Sequence, residues 1–260
     1  MSHDHTLSDD PFVDSDGNPR IIRGVSVISN STRLAELVGK VGLEAVWIEG
    51  EHGTPSWSEV EVLCLAAEAG GAYPTVRTPD QERTSILRTL ETGARILAIP
   101  MVNTADQARQ VVQHAKFPPM GQRGFNVRSR GGGYGLDPPL VTFEKANKRT
   151  HIFVQIEMVE GIENLEEICQ VEGISGVMMG PGDLSADMGK TAQFTDPELI
   201  DMVLSSIRHA RKVGLNAGIF FAPGKLMEDA VEAGANLLFY GGDVTDLAKA
   251  WRGLSELYGG

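Results

Sequence analysis

Acidic, basic and amide side chains recur in this chain of 260 residues at one kind of place, the end of a short apolar run. WIEGEHG carries Glu49, Glu51 and His52, PTVRTP carries Arg77, VQIEM carries Gln155 and Glu157, and GPGD carries Asp183. Glu157 and Asp183, with no cysteine nearby, make a hard oxygen pair suited to Mg2+ or Mn2+ that leaves coordination positions for water. Taken singly, Glu157 also reads as an ion-paired residue and Asp183 as a helix-capping or turn acid. Arg77 can hold a carboxylate or stabilise an oxyanion through its fixed fork of donors, and can pair with a neighbouring acid while doing so. His52 is the one histidine of six at such a run's end, where a ring titrating near neutrality can act as a general base. The amides of the GPGD turn, at Gly182 and Asp183, can bind a substrate carboxylate because glycine permits close approach.

These positions need a scaffold that brings the ends of separate runs together. Apolar runs start at Ile21, Leu43, Tyr73, Arg95, His151, Gly176, Asn216 and Asn236, and helix-period segments such as ERTSILRTLETG and PELIDMVLSSIRHARKVG lie between them. The glycines that close these segments, Gly42, Gly70, Gly93, Gly173, Gly214 and Gly234, read as left-handed helix C-caps. Runs apolar on both faces suit a parallel sheet covered by helices. The expected fold is a single-domain (β/α)8 TIM barrel over residues 21–260 preceded by a flexible N-terminal arm, residues 1–20, that contains His3 and His5; a doubly wound open sheet is the alternative. In such a barrel, chemistry sits at the C-terminal ends of the strands. His114 and His209 fall in helices, and His151 falls at the opposite end of its strand. One segment breaks the rhythm: FPPMGQRGFNVRSRGGGYGLDPP, residues 117–139, interleaves glycine with Arg123, Arg128 and Arg130. It reads either as a surface insertion or as a cationic lid over an anionic ligand.

Composition narrows the function classes. Thirty-five acidic against 23 basic residues give a net charge of -12, which disfavours nucleic acid and anionic membranes as partners. The longest apolar stretches fall far short of a membrane span, and the polar start lacks the plan of a secretory signal. Cys64 and Cys169 sit in helical segments without ligand spacing, so a reduced, cytoplasmic compartment is expected. There is no G-x-S-x-G elbow, no Walker A loop and no strand-end lysine; Lys225 reads as the opening of a helix. Gly241 and Gly242 end the last run where barrels often bind phosphate, and equally make a plain turn.

WIEGEH, PTVR, LETGARILAIPMVNTADQARQVV, FPPMGQRG, VQIEMVEGIENLEEI, GISGVMMGPGDLSADMG and GIFFAPGKLMEDAVEAGANLLFYGGD together resemble the HpcH/HpaI class II pyruvate aldolases from about residue 21 to 247. The resemblance implies a metal-dependent barrel that makes or cleaves a carbon-carbon bond beside a pyruvate enolate, acting on a 2-oxo acid and an aldehyde. It implies a homo-oligomer, a hexamer built as a trimer of dimers with the last helix exchanged between subunits. Carried over by motif, His52 is the base, Arg77 the oxyanion stabiliser, Glu157 and Asp183 the ligands of Mg2+ or Mn2+ (Co2+ being a further option), and Gln155, Gly182 and Asp183 the pyruvate contacts. Glu91, in TLETG, matches the acid that raises the basicity of the histidine. The family usually has aspartate where this chain has Glu49 and Glu91. Two rival readings are an acyl-thioester lyase of the citrate-lyase-subunit or malyl-coenzyme-A type, and a silent barrel that binds a 2-oxo acid.

Overall fold

In the computed structural model, which describes residues 7–258, each apolar run is a short strand and each helix-period segment carries the chain back to the start of the next. The order is β1 (Ile22–Ser26), α1 (Thr32–Lys40), β2 (Ala45–Glu49), α2 (Trp57–Gly70), β3 (Tyr73–Arg77), α3 (Arg83–Glu91), β4 (Ile96–Ile99), α4 (Ala105–Ala115), α5 (Pro139–Arg149) and β5 (His151–Ile156). It continues with α6 (Val159–Glu163), α7 (Leu165–Cys169), β6 (Gly176–Met179), α8 (Pro181–Asp187), α9 (Pro197–Lys212), β7 (Asn216–Phe220), α10 (Lys225–Glu232), β8 (Leu237–Gly242) and α11 (Asp243–Tyr258). The strands pair in chain order, all parallel, and β8 closes onto β1, so the sheet is a (β/α)8 barrel and not an open one. Lys225 opens α10, and Cys64 and Cys169 are buried, unpaired thiols in α2 and α7. No helix among the described residues is long and apolar enough to cross a membrane.

Strand alternation divides the core in two. Val46, Ile48, Val76, Leu97, Val154 and Ile156 face outward under the helices, while Trp47, Tyr73, Ile96, Phe153, Met178 and Phe239 fill the barrel's interior. Along β5 the inward side reads Phe153, Gln155 and then Glu157, so the period of two that buries a phenylalanine in the barrel delivers two polar groups to its upper end. Helix starts follow from local chemistry: Ser56 and Thr104 each close a capping box, with Glu59 and Gln107. Five of the expected glycine caps have positive φ, but the cap of α2 is Gly71, with φ 91°, and not Gly70. Gly70 is the helix's last residue, and a Cβ on it would stand 2.3 Å from the Glu36 carbonyl oxygen, so its glycine serves the close crossing with α1.

The first six residues, with His3 and His5, lie outside the described residues. From Leu7 onward the expected arm is seated under the barrel: Phe12 is buried, its ring 5.5 Å from that of Phe153 and 5.7 Å from that of His151, and Ser8 bonds the Tyr73 hydroxyl. The glycine and arginine loop lies at this same lower end. Arg123 pairs with Glu91 at the foot of α3, Arg130 with Glu68 at the foot of α2, and the Gly131 amide donates to the Glu91 carbonyl. The lid reading is therefore corrected within this chain: α4 carries the chain down to the lower face, α5 hands it to the start of β5 there, and the loop between them is tied by these contacts to the feet of α2 and α3, away from the upper strand ends. At the far side, α11 leaves Val244, Leu247, Trp251 and Leu254 exposed, beside an apolar groove of about 280 Å3 between α1 and β1.

Candidate active site

The mouth is assembled by register. Glu49 and Arg77 are the last residues of β2 and β3 and are direct partners in the ladder, so alternation points both inward at the same height. Arg77 Nη2 lies 2.7 Å from Glu49 Oε2, and its Nε donates to both carboxylate oxygens at 2.9 and 3.0 Å. Its Nη1 reaches Glu51 at 2.9 Å. Glu49 also accepts from Trp47 Nε1 at 3.1 Å and from the amides of Glu51 and His52 at 2.8 and 3.1 Å. A carboxylate two residues above a core tryptophan thus fixes the arginine on one side and the turn that carries His52 on the other. His52 itself is exposed on the rim.

Glu157 follows β5 and is 1% exposed. Its Oε1 accepts the Met101 amide at 2.8 Å and its Oε2 a bond from the Gln155 amide nitrogen. Met101, just past β4, holds φ at 57°, a left-handed conformation uncommon outside glycine, and this turn is what aims its amide at the carboxylate. Asp183 lies in the first turn of α8, exposed, beside Gly182, whose position has open space around it. First-turn amides have no acceptor within their helix, so those of Gly182 and Asp183 are free for an anion. Gly180 leaves room for Glu157: a Cβ there would stand 2.7 Å from Glu157 Oε2.

The charges are unequal by design of their surroundings. Burial opposes ionisation of Glu49, but the hydrogen bonds and charge of Arg77 outweigh it and hold the carboxyl below its usual range. Burial also opposes the charge on Arg77, which the bonds to Glu49 more than restore. Glu51 is raised, by burial above all, against the pull of Arg77. Glu157 is pushed up to about 7, first by burial and then, against the Met101 amide, by the charge of Asp183. A buried carboxylate raised by a second one across the rim, with the buried Gln155 Oε1 left without a partner among the described residues, matches the donor chemistry of a hard divalent cation. Among the described residues no cluster of three His, Cys, Asp or Glu stands ready to hold a metal, so a cation on this pair would draw the rest of its shell from water and substrate oxygens.

His52, Arg77, Gln155, Glu157, Gly182 and Asp183 are all brought to the upper end of the barrel. Glu91 is not. It ends α3, which has carried the chain from the upper rim to the lower one, and its carboxylate accepts bonds from Arg123 and Asn126 at 2.9 and 2.6 Å. Within one chain it does not assist His52. The group that orders the His52 turn is Glu49, named from sequence without a role; its signal was the period of two from Trp47, but only the register of β2 on β3 shows its partner.

The HpcH/HpaI aldolase/citrate lyase family profile matches residues 24–250. The 4-hydroxy-2-oxo-heptane-1,7-dioate aldolase of Shigella sonnei is 34% identical over 247 residues, covering 94% of this chain and 92% of the relative. The hydroxypyruvate/pyruvate aldolase of Roseobacter denitrificans is 30% identical over 223 residues, 85% of this chain and 86% of its own length. Among solved structures, an HpcH/HpaI aldolase from Desulfitobacterium hafniense superposes with a TM-score of 0.84 at 29% identity, covering 92% of this chain and 95% of the other.

Proposed function

The chain belongs to the HpcH/HpaI aldolase/citrate lyase family, and on that premise we propose that it catalyses reversible aldol cleavage and addition between pyruvate, or a close 2-oxo acid such as hydroxypyruvate, and an aldehyde. The observation that carries this reading is the convergence of His52, Arg77, Glu157 and Asp183 on one strand-end rim, with Arg77 held rigidly by Glu49 and Glu51. Arg77, fixed at Nε and both Nη atoms, keeps N–H groups to offer the keto oxygen of the 2-oxo acid, where negative charge grows as the carbon-carbon bond breaks. The first-turn amides of Gly182 and Asp183 hold the substrate carboxylate. His52 takes the proton of the 4-hydroxyl on an imidazole nitrogen while the C3–C4 electron pair passes to the enolate, and the aldehyde departs. Protonation of the enolate at C3 then gives the free 2-oxo acid; the addition direction reverses these transfers. Glu157 and Asp183 are the residues that would hold a divalent cation, Mg2+ or Mn2+ by the hardness of the donors with Co2+ a further option, and when bound it would polarise the keto oxygen and offset the enolate's charge.

The apolar stripe of α11 and the groove beside α1 support a homo-oligomer in which this helix packs on a second copy; a trimer of dimers is the assembly we propose. Two buried free thiols and the net charge of -12 support a reduced cytoplasmic setting without nucleic acid or membrane partners. The decisive test of the chemistry is exchange of pyruvate methyl protons with deuterated water, followed by NMR. Exchange should require added Mn2+ or Mg2+ and fall by roughly a hundredfold or more in His52→Ala. Exchange that persists without metal and without His52 would remove this site from the reaction, and turnover of coenzyme A thioesters in place of aldols would favour the thioester lyase.

A further inference from the structure

At the lower face, opposite the mouth, three guanidinium groups surround one cavity. Arg95 precedes β4, Arg149 ends α5 just before β5, and Arg130 reaches in from the loop; with Glu68, Gly93, Tyr134 and Leu136 they line a hollow of about 280 Å3. Their charge is not balanced there. Among the described residues Glu68 is the one carboxylate of the lining, shared between Arg130 and, at 3.7 Å, Arg95. Among the described residues Arg149 bonds only the Gly131 carbonyl, at 2.8 Å, and the nearby Asp9 is turned to Lys148 at 3.9 Å. Arg95 is 8% exposed, and its Nε, like that of Arg130, is buried without an acceptor among the described residues, although its Nη2 bonds the Ser8 carbonyl at 2.7 Å. Burial, and after it the charge of Arg95, presses the pKa of Arg149 down.

The arrangement is built, not scattered. Gly93 has φ 95° and no side chain, and a Cβ on it would stand 2.6 Å from the stem of Arg130, which lies across it. Buried cations with unmet N–H groups are unfavourable unless an anion shares the space. In a chain with a net charge of -12, a local excess of guanidinium over carboxylate is also against the average field.

We infer that this cavity is a second ligand site, separate from the mouth, that binds a small multivalent oxyanion presenting planar or tetrahedral oxygens to Arg95, Arg130 and Arg149. Phosphate groups and di- or tricarboxylates share that chemistry, since both accept the bidentate arginine fork.

The test is isothermal titration of the whole, chelator-treated protein with inorganic phosphate and, separately, with citrate, at constant ionic strength. At least one probe should bind once per chain and raise the melting temperature progressively with concentration. Arg149→Gln should weaken that binding by about tenfold or more while leaving pyruvate exchange at the mouth unchanged. Because Arg95 is buried and its loss can unfold the chain, the half-buried Arg149 is the deciding position, with exposed Arg109→Gln as the matched control. Preference for phosphate or for citrate identifies the source of the oxyanion. The proposal is overturned if neither probe saturates, if Arg109→Gln weakens binding as much as Arg149→Gln, or if binding is lost in Arg77→Gln but kept in Arg149→Gln, which would assign it to the mouth.

Discussion

Glu49→Gln is the sharpest perturbation of the mouth, because it changes one atom type and no volume. Each carboxylate oxygen of Glu49 faces three donors: Oε1 meets the amides of Glu51 and His52 and Arg77 Nε, and Oε2 meets Trp47 Nε1 and two nitrogens of Arg77. Whichever way the amide turns, its NH2 group opposes three N–H groups. Arg77, 7% exposed, is left with Glu51 alone at 2.9 Å. Removing one partner of a buried pair destabilises by about 3–5 kcal/mol, and the surviving contact to Glu51 puts the expected loss near the lower end, about 3 kcal/mol. Urea unfolding by circular dichroism at fixed protomer concentration measures it. Turnover should fall by roughly 10–1,000-fold, since Arg77 and the His52 turn lose their common anchor. With Arg77→Met added, the double variant should be less destabilised than the sum of the two singles. A loss below about 1 kcal/mol with additive energies would put the pair among ordinary surface bridges and refute the reasoning.

Four further outcomes follow from the structure. Glu157 stands at about 7 in the folded, metal-free protein against an ordinary 4.5, so its favourable contribution is full below that lower value and lost as pH rises through 7. Metal-free Glu157→Gln should therefore gain on the parent by up to about 3 kcal/mol at pH 8 but not at pH 4.5, and an equal difference at both pH values, by chemical denaturation, would contradict it. Mn2+ should bind the parent about tenfold more weakly at pH 6 than at pH 8, with proton release seen by calorimetry in buffers of different ionisation heat. Phe12→Ala should destabilise the barrel by about 3–5 kcal/mol, a value near zero showing that the segment under the barrel carries no packing. Trp251→Glu combined with Leu254→Glu should reduce the assembly's mass in analytical ultracentrifugation, and an unchanged mass would exclude α11 from the interface.

What the sequence discloses and what it withholds divide along the barrel axis. The apolar runs announce strands wherever side chains are buried on both faces, and the alternation Phe153, Gln155, Glu157 already states which polar groups share a side. Distance along the chain, however, does not say which end of the barrel a residue occupies. Glu91 stands fourteen positions after Arg77, close in sequence to the mouth, yet α3 uses those positions to cross the barrel's full height. The arginines of residues 117–139 look like a lid only until the connections are followed: α4 descends after β4 and β5 starts below, so the segment between them sets out from and returns to the lower face, where Arg123 and Arg130 find Glu91 and Glu68. Gly70 and Gly71 differ in the same way, since one serves a helix crossing and the other a left-handed cap, and no local signal separates them. Register is the remaining hidden variable. Glu49 and Arg77 belong to runs that look independent, and only the ladder of β2 on β3, which sets them side by side, turns two rim charges into one anchored arginine. A shift of that ladder by one residue would send one of the two side chains outward under the helices, so the closing of the barrel in its observed register is itself the step that forms the mouth.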